Sequence, residues 1–105
     1  MVYNAAYAEE ASKDLSQILW YIREELLNPT AAHKMYGLVE EKLVLIKENP
    51  YIYPLHHDDK IAALGIRFVV IGNYLMFYTI NPNQPEVTIV RILYEKRNIQ
   101  AILTR

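Results

Sequence analysis

Gly72 and Asn73 constrain this chain more than any other pair of residues. They stand between two runs, Ile66–Ile71 and Tyr74–Ile80, dense in Val, Ile, Phe and Tyr, the side chains that suit a pleated, half-buried surface. A two-residue link with glycine supplies the positive φ of a tight hairpin, so the runs should fold back on one another. The register then follows: Ile71 opposite Tyr74, Val69 opposite Met76 and Arg67 opposite Tyr78. A third run, Val87–Tyr94, comes after a turn rich in Pro and Asn (Asn81–Pro85) and completes an antiparallel meander.

Alternation along the hairpin sorts its side chains into two faces. Arg67, Val69, Ile71, Tyr74, Met76 and Tyr78 share one, and Ile66, Phe68, Val70, Leu75, Phe77 and Thr79 share the other. The second is more uniformly apolar and is expected to meet the rest of the protein. The first, with an arginine and two tyrosines, is expected to be the more exposed. The longer second turn leaves the face of Arg91 open.

Two amphipathic helices precede the meander. Ala11, Leu15, Ile18, Leu19, Ile22 and Leu26 trace one stripe of a helix over Ala8–Leu27. Asn28-Pro29-Thr30 ends it, and Asn28 or Thr30 can cap a second helix that runs to Asn49 before Pro50 stops it. Its stripe is Met35, Leu38, Val39, Leu43 and Ile46. This αα-hairpin needs a cover, which the sheet provides. Val2–Tyr7 reads as a first strand at the sheet edge, Tyr51–Gly65 as a loop, and Asn98–Leu103 as a last short helix. The expected fold is α+β, β-α-α-β-β-β with a short C-terminal helix: a helical hairpin packed on a small antiparallel sheet.

With 105 residues, 52% of them apolar, the chain holds one modest core, so residues 1–105 form a single domain. The lack of cysteine removes disulfides and thiol chemistry. No apolar run reaches membrane-span length and no signal peptide opens the chain, which points to a soluble, cytoplasmic protein. The net charge of −1 conceals a division: residues 1–59 carry −5 and residues 60–105 carry +4. A mildly acidic whole disfavours a protein built mainly to grip nucleic-acid backbone, but leaves room for a local basic site.

Three clusters are candidates for a functional site. His56-His57-Asp58-Asp59 lacks a third ligand group at metal spacing and reads as a solvated loop, with no metal and no cofactor expected. The glutamate pairs on the helices lie about 100° apart around the axis and read as solvated faces, with Glu9 and Lys13 spaced for an ion pair. Arg91, Tyr94, Lys96 and Arg97 lie where the last strand leaves the sheet, with Arg67 and Tyr78 across the neighbouring hairpin. Arginines clamp phosphates, and Tyr or Lys can carry protons or stack on bases. The plainer reading has them pin the C-terminus or pair with Glu86 and Glu95.

The pattern Asp14-Leu15, Ile18, Trp20-Tyr21-Ile22, then Asn49-Pro50, IRFVVIGNYLMFYTI and VTIVRILYEKRN resembles the RelE/ParE superfamily of bacterial type II toxins over nearly the whole chain. The resemblance implies two helices packed on a small antiparallel sheet, growth arrest, and neutralisation by a cognate antitoxin. RelE-like members are ribosome-dependent mRNA endoribonucleases, strongly basic, with a catalytic Arg after the Tyr that opens the hairpin's second strand. The matching position here is Leu75. ParE-like members inhibit DNA gyrase. They resemble this chain in Arg67 and in the ILYEKRN ending, although many have His at the position of Tyr94 and Asp at that of Asn98.

The resemblance therefore implies a ParE-like gyrase inhibitor ahead of an mRNA endoribonuclease, with an inactive binding relative as a third reading that growth arrest on expression would remove. Target contacts would be Arg67, Tyr78, Tyr94, Lys96 and Arg97. In a nuclease, Arg67 and Arg91 would stabilise the phosphate while Tyr94 or Lys96 handled the proton of the attacking 2′-hydroxyl, with Arg97 completing the set. The antitoxin, in a hetero-oligomer with the toxin, would cover Val69, Ile71, Tyr74 and Met76, expected as exposed apolar side chains.

Overall fold

The hairpin register expected from Gly72-Asn73 is the one that forms. In the computed structural model, which describes residues 2–105, Arg67–Ile71 (β2) pairs antiparallel with Tyr74–Asn81 (β3), with Arg67 opposite Tyr78, Val69 opposite Met76 and Ile71 opposite Tyr74. Gly72 takes φ +60°, the left-handed conformation glycine enters without a Cβ penalty. Glu86–Tyr94 (β4) pairs antiparallel with β3, and Asn4–Tyr7 (β1) lies along the far side of β4. The strand order is β1-β4-β3-β2. β1 runs parallel to β4, so the sheet is mixed rather than wholly antiparallel.

The first helix, Glu9–Trp20 (α1), continues into a widened π turn over Tyr21–Glu25, where the Leu26 amide donates to the Tyr21 carbonyl five residues back. That turn rotates the following residues off the apolar stripe. Leu26 is therefore exposed, against expectation, while Ala11, Leu15 and Ile22 are buried. Leu27 turns the chain with φ +50°, and the Asn28 side chain accepts from the Ala31 amide to cap Pro29–Glu48 (α2). The expected loop contains a short helix, Asp59–Ala63 (α3), capped by Asp58, and Ile99–Leu103 (α4) closes the chain with Asn98 as its cap.

The two sheet faces are reversed relative to expectation. Val69, Ile71, Met76 and Tyr78 join Val87, Ile89 and Ile92 beneath α1 and α2 in the main core. Ile66, Phe77 and Leu93, with Phe68 and Leu75 beside them, form a second core covered by Ile61 of α3 and by Ile99, Ile102 and Leu103 of α4. Both faces are covered, so relative apolarity did not decide which one meets the long helices. The tyrosine that made the first face look wet is satisfied internally: the Tyr78 hydroxyl donates to the Pro50 carbonyl at 2.7 Å. Among the described residues, no helix is long and apolar enough to cross a membrane.

Candidate functional site

β4 is longer than its neighbour β1. Pairing with β1 stops at Ile89, so the outer edge of β4 beyond it lacks a strand partner. A bulge at Val90 also breaks the alternation, with Phe77 opposite Arg91 but Tyr78 opposite Ile89. Asp14, on the buried side of α1, fills the gap. Its carboxylate accepts from the Ile92 amide at 3.0 Å and from Arg91 Nε and Nη2 at 2.8 and 3.0 Å. The fork is bidentate, and the side chains retain only 11% (Asp14) and 22% (Arg91) exposure. This bond holds the Arg91 pKa above its ordinary value, against the opposing effect of burial. Arg91 therefore ties the last strand to the first helix, and its charge is neutralised in place.

Arg67 and Tyr78 pair across the hairpin as expected, yet they serve the loop after α2. Arg67 Nη1 donates to the Tyr53 carbonyl at 2.7 Å, and its guanidinium lies 5.0 Å from the centre of the Tyr51 ring. Tyr78 is completely buried, and burial pushes its hydroxyl up to about 12, against the pull of the Arg67 charge. Tyr78 therefore cannot touch a target, a correction to the sequence reading. Four residues of strand, about 13 Å, separate it from Tyr74 at the other end of β3. The candidate residues thus fall into three places and form no single catalytic group.

The remaining three stay together. Tyr94, Lys96 and Arg97 are all exposed where β4 ends. Tyr94 faces Tyr74 across the strand pair, their rings edge to face with centroids 5.8 Å apart. Behind them opens a cleft of about 160 Å³ between α1 and the end of the sheet, walled by Ile18, Tyr21, Tyr74, Ile92, Tyr94 and Arg97. Burial, aided by neighbouring Tyr21 and Tyr94, raises the pKa of the Tyr74 hydroxyl and keeps it a neutral donor. Among the described residues neither Lys96 nor Arg97 has a carboxylate within ion-pair distance. Pairing with Glu86 or Glu95 does not occur.

The sequence of this chain matches, over residues 6–99, the family described as the ParE toxin of type II toxin–antitoxin systems, parDE. The chain belongs to the ParE toxin family. No individual protein of curated function matches this toxin by sequence. Among solved structures it is similar to the chromosomal ParDE system of P. aeruginosa, at 16% identity and a TM-score of 0.68, covering 89% of this chain and 96% of that one. It is also similar to a free mutant of the E. coli toxin RelE (16%, 0.65, covering 99% and 95%) and to the RelBE2 toxin–antitoxin complex of Mycobacterium tuberculosis (19%, 0.63, covering 90% and 99%). At these identities the likeness is one of fold.

Two sequence expectations for the toxin need correction. Val69, Ile71 and Met76 are at most 5% exposed, sealed under α1 and α2, so they cannot be the apolar surface offered to an antitoxin; only Tyr74 of that set reaches the cleft. The His56–Asp59 segment is solvated only in part: His57 and Asp59 are exposed, but His56 is not. His56 is buried against Phe68 and Phe77, stacks on His57, and accepts the Asp58 amide at Nδ1. Among the described residues no group of three or more His, Cys, Asp or Glu could hold a metal.

Asp14 is part of the family pattern in the sequence, but its role as the partner of Arg91 is not read from it. Its signal was its place three residues after Ala11 and beside Leu15, on the apolar stripe of α1. A carboxylate there must find partners in the core.

Proposed function

We propose that this ParE-family toxin arrests growth by inhibiting DNA gyrase in the cytoplasm, through Tyr94, Lys96 and Arg97, and that it does not cut RNA. The observation that carries this reading is the engagement of both arginines a nuclease would need. Arg91 is neutralised by Asp14, Arg67 is held by the Tyr53 carbonyl and the Tyr51 ring, and no phosphate clamp is assembled between them. Leu75 standing where RelE-like nucleases carry arginine agrees with it, as does a net charge of −1, poorly suited to a phosphate-lined ribosomal site.

A cognate antitoxin holds the toxin in check, a partner supported by the family and by relatives of the same fold that occur as toxin–antitoxin complexes. Purified toxin, freed of antitoxin, should block gyrase supercoiling and leave mRNA intact on translating ribosomes. Ribosome-dependent cuts with unaffected supercoiling would replace this reading with the RelE-like one. An inert protein in both assays, harmless on expression, would leave only a binding role.

A further inference from the structure

The cleft between α1 and the end of the sheet has the size, walls and charge of a socket for one side chain. Its roughly 160 Å³ is comparable to a cavity of about 150 Å³ that accepts a benzene ring. Ile18 and Ile92 make its floor apolar, and the rings of Tyr21, Tyr74 and Tyr94 form its walls. The π turn that begins at Tyr21 leaves this ring half exposed at the mouth. Arg97 lies on the rim without a carboxylate among the described residues, and Lys96 is next to it in the chain.

We propose that this cleft receives one aromatic or branched aliphatic side chain of the antitoxin, on a segment whose adjacent carboxylate meets Arg97. The proposal rests on the toxin–antitoxin reading and is independent of the choice between gyrase and ribosome. Charge favours an acidic protein segment over RNA. Among the described residues the one carboxylate lining the cleft, Asp14, is already matched by Arg91, so the rim carries the uncompensated positive charge of Arg97. One guanidinium suits a single carboxylate, whereas RNA needs a track of phosphate contacts that a chain of net charge −1 does not provide. Large aromatic anchors in pockets with an adjacent charged contact are the usual concentrated source of interface affinity. A segment seated here also covers Tyr94 and Arg97, so binding and neutralisation occur at one place.

The test is the dissociation constant of purified toxin for its cognate antitoxin, measured by calorimetry at low and high salt. Tyr94→Ser and Arg97→Glu both alter exposed side chains, and unchanged urea midpoints would verify that the variants fold. Each should weaken antitoxin binding at least tenfold. Arg97→Glu should also flatten the salt dependence, and reversing one antitoxin carboxylate to Lys should restore its binding. Lys34→Glu, exposed on α2, should change nothing. Constants within twofold of wild type for both cleft variants would overturn the proposal. So would an octauridylate that binds the toxin and is lost on Arg97→Glu while antitoxin affinity is kept, which would make the cleft an RNA site. Failure of the gyrase assay would leave these constants untouched, so the two readings fail separately.

Discussion

Removing the Asp14 carboxylate by Asp14→Ala should be among the most damaging single substitutions on α1. Three hydrogen bonds end on that group, two from the Arg91 guanidinium and one from the Ile92 amide. Exposed ion pairs contribute about 0–1 kcal/mol, while breaking a buried pair costs about 3–5 kcal/mol because it strands the other charge. Exposures of 11% and 22% put this pair near the buried limit, although the stranded arginine can swing partly into water. The expected loss is therefore about 3 kcal/mol, a large share of the ~5–15 kcal/mol that stabilises a domain of this kind. With a urea slope of ~1.5–2 kcal/mol per M, the midpoint should fall by about 1.5–2 M. Glu9→Ala provides the internal comparison. Its 3.2 Å contact with Lys13 is 65–80% exposed and should be worth less than about 0.5 kcal/mol. A loss below about 1 kcal/mol for Asp14→Ala, with an unchanged slope, would refute the assignment of Arg91 as a structural tie.

Three further substitutions probe the frame. The Tyr7 hydroxyl is buried without a hydrogen-bond partner among the described residues, and burial with the nearby Glu40 charge pushes it up to about 12; Tyr7→Phe should raise stability by up to ~1 kcal/mol in urea unfolding. Leu27→Gly relieves a left-handed backbone at an exposed position and should be neutral to stabilising, by up to ~1 kcal/mol, where an ordinary exposed Leu→Gly change in a loop would destabilise. His56 is held below the usual 6.5 by burial and then by His57, with Asp58 opposing. The unfolded chain therefore binds a proton that the folded one resists, so stability should fall as pH drops below about 6.5, and His56→Gln should flatten that limb in pH-dependent unfolding.

The parts of the fold legible in the sequence were those fixed by local chemistry. Gly72-Asn73 set the hairpin register, and Asn28, Pro29 and Pro50 set the bounds of α2, because turns and caps act over a few residues. The choice of sheet face was not legible. It depended on α3 and α4 supplying a second cover, and α3 lay inside a segment that reads as loop until Asp58 is seen to cap it. The candidate site suffered from a different limit. Arg91 looked free because its partner is 77 positions away in sequence, and the bulge at Val90 hid the strand's parity. Arg67 and Tyr78 were correctly paired with each other but assigned to a surface, when both hold the loop at Pro50–Tyr53. Tyr94, Lys96 and Arg97 are exposed at one strand end, a nearness legible in the sequence because they are consecutive or nearly so and follow the last strand.

Gyrase supercoiling in the presence of toxin variants tests the division between structural and target-facing residues most directly. Wild-type toxin and Arg67→Ala should both block supercoiling at equal folded concentration, and Arg97→Ala should relieve the block at least tenfold. Retained inhibition by Arg97→Ala, or no inhibition by wild type alongside ribosome-dependent mRNA cleavage that Arg67→Ala abolishes, would contradict it.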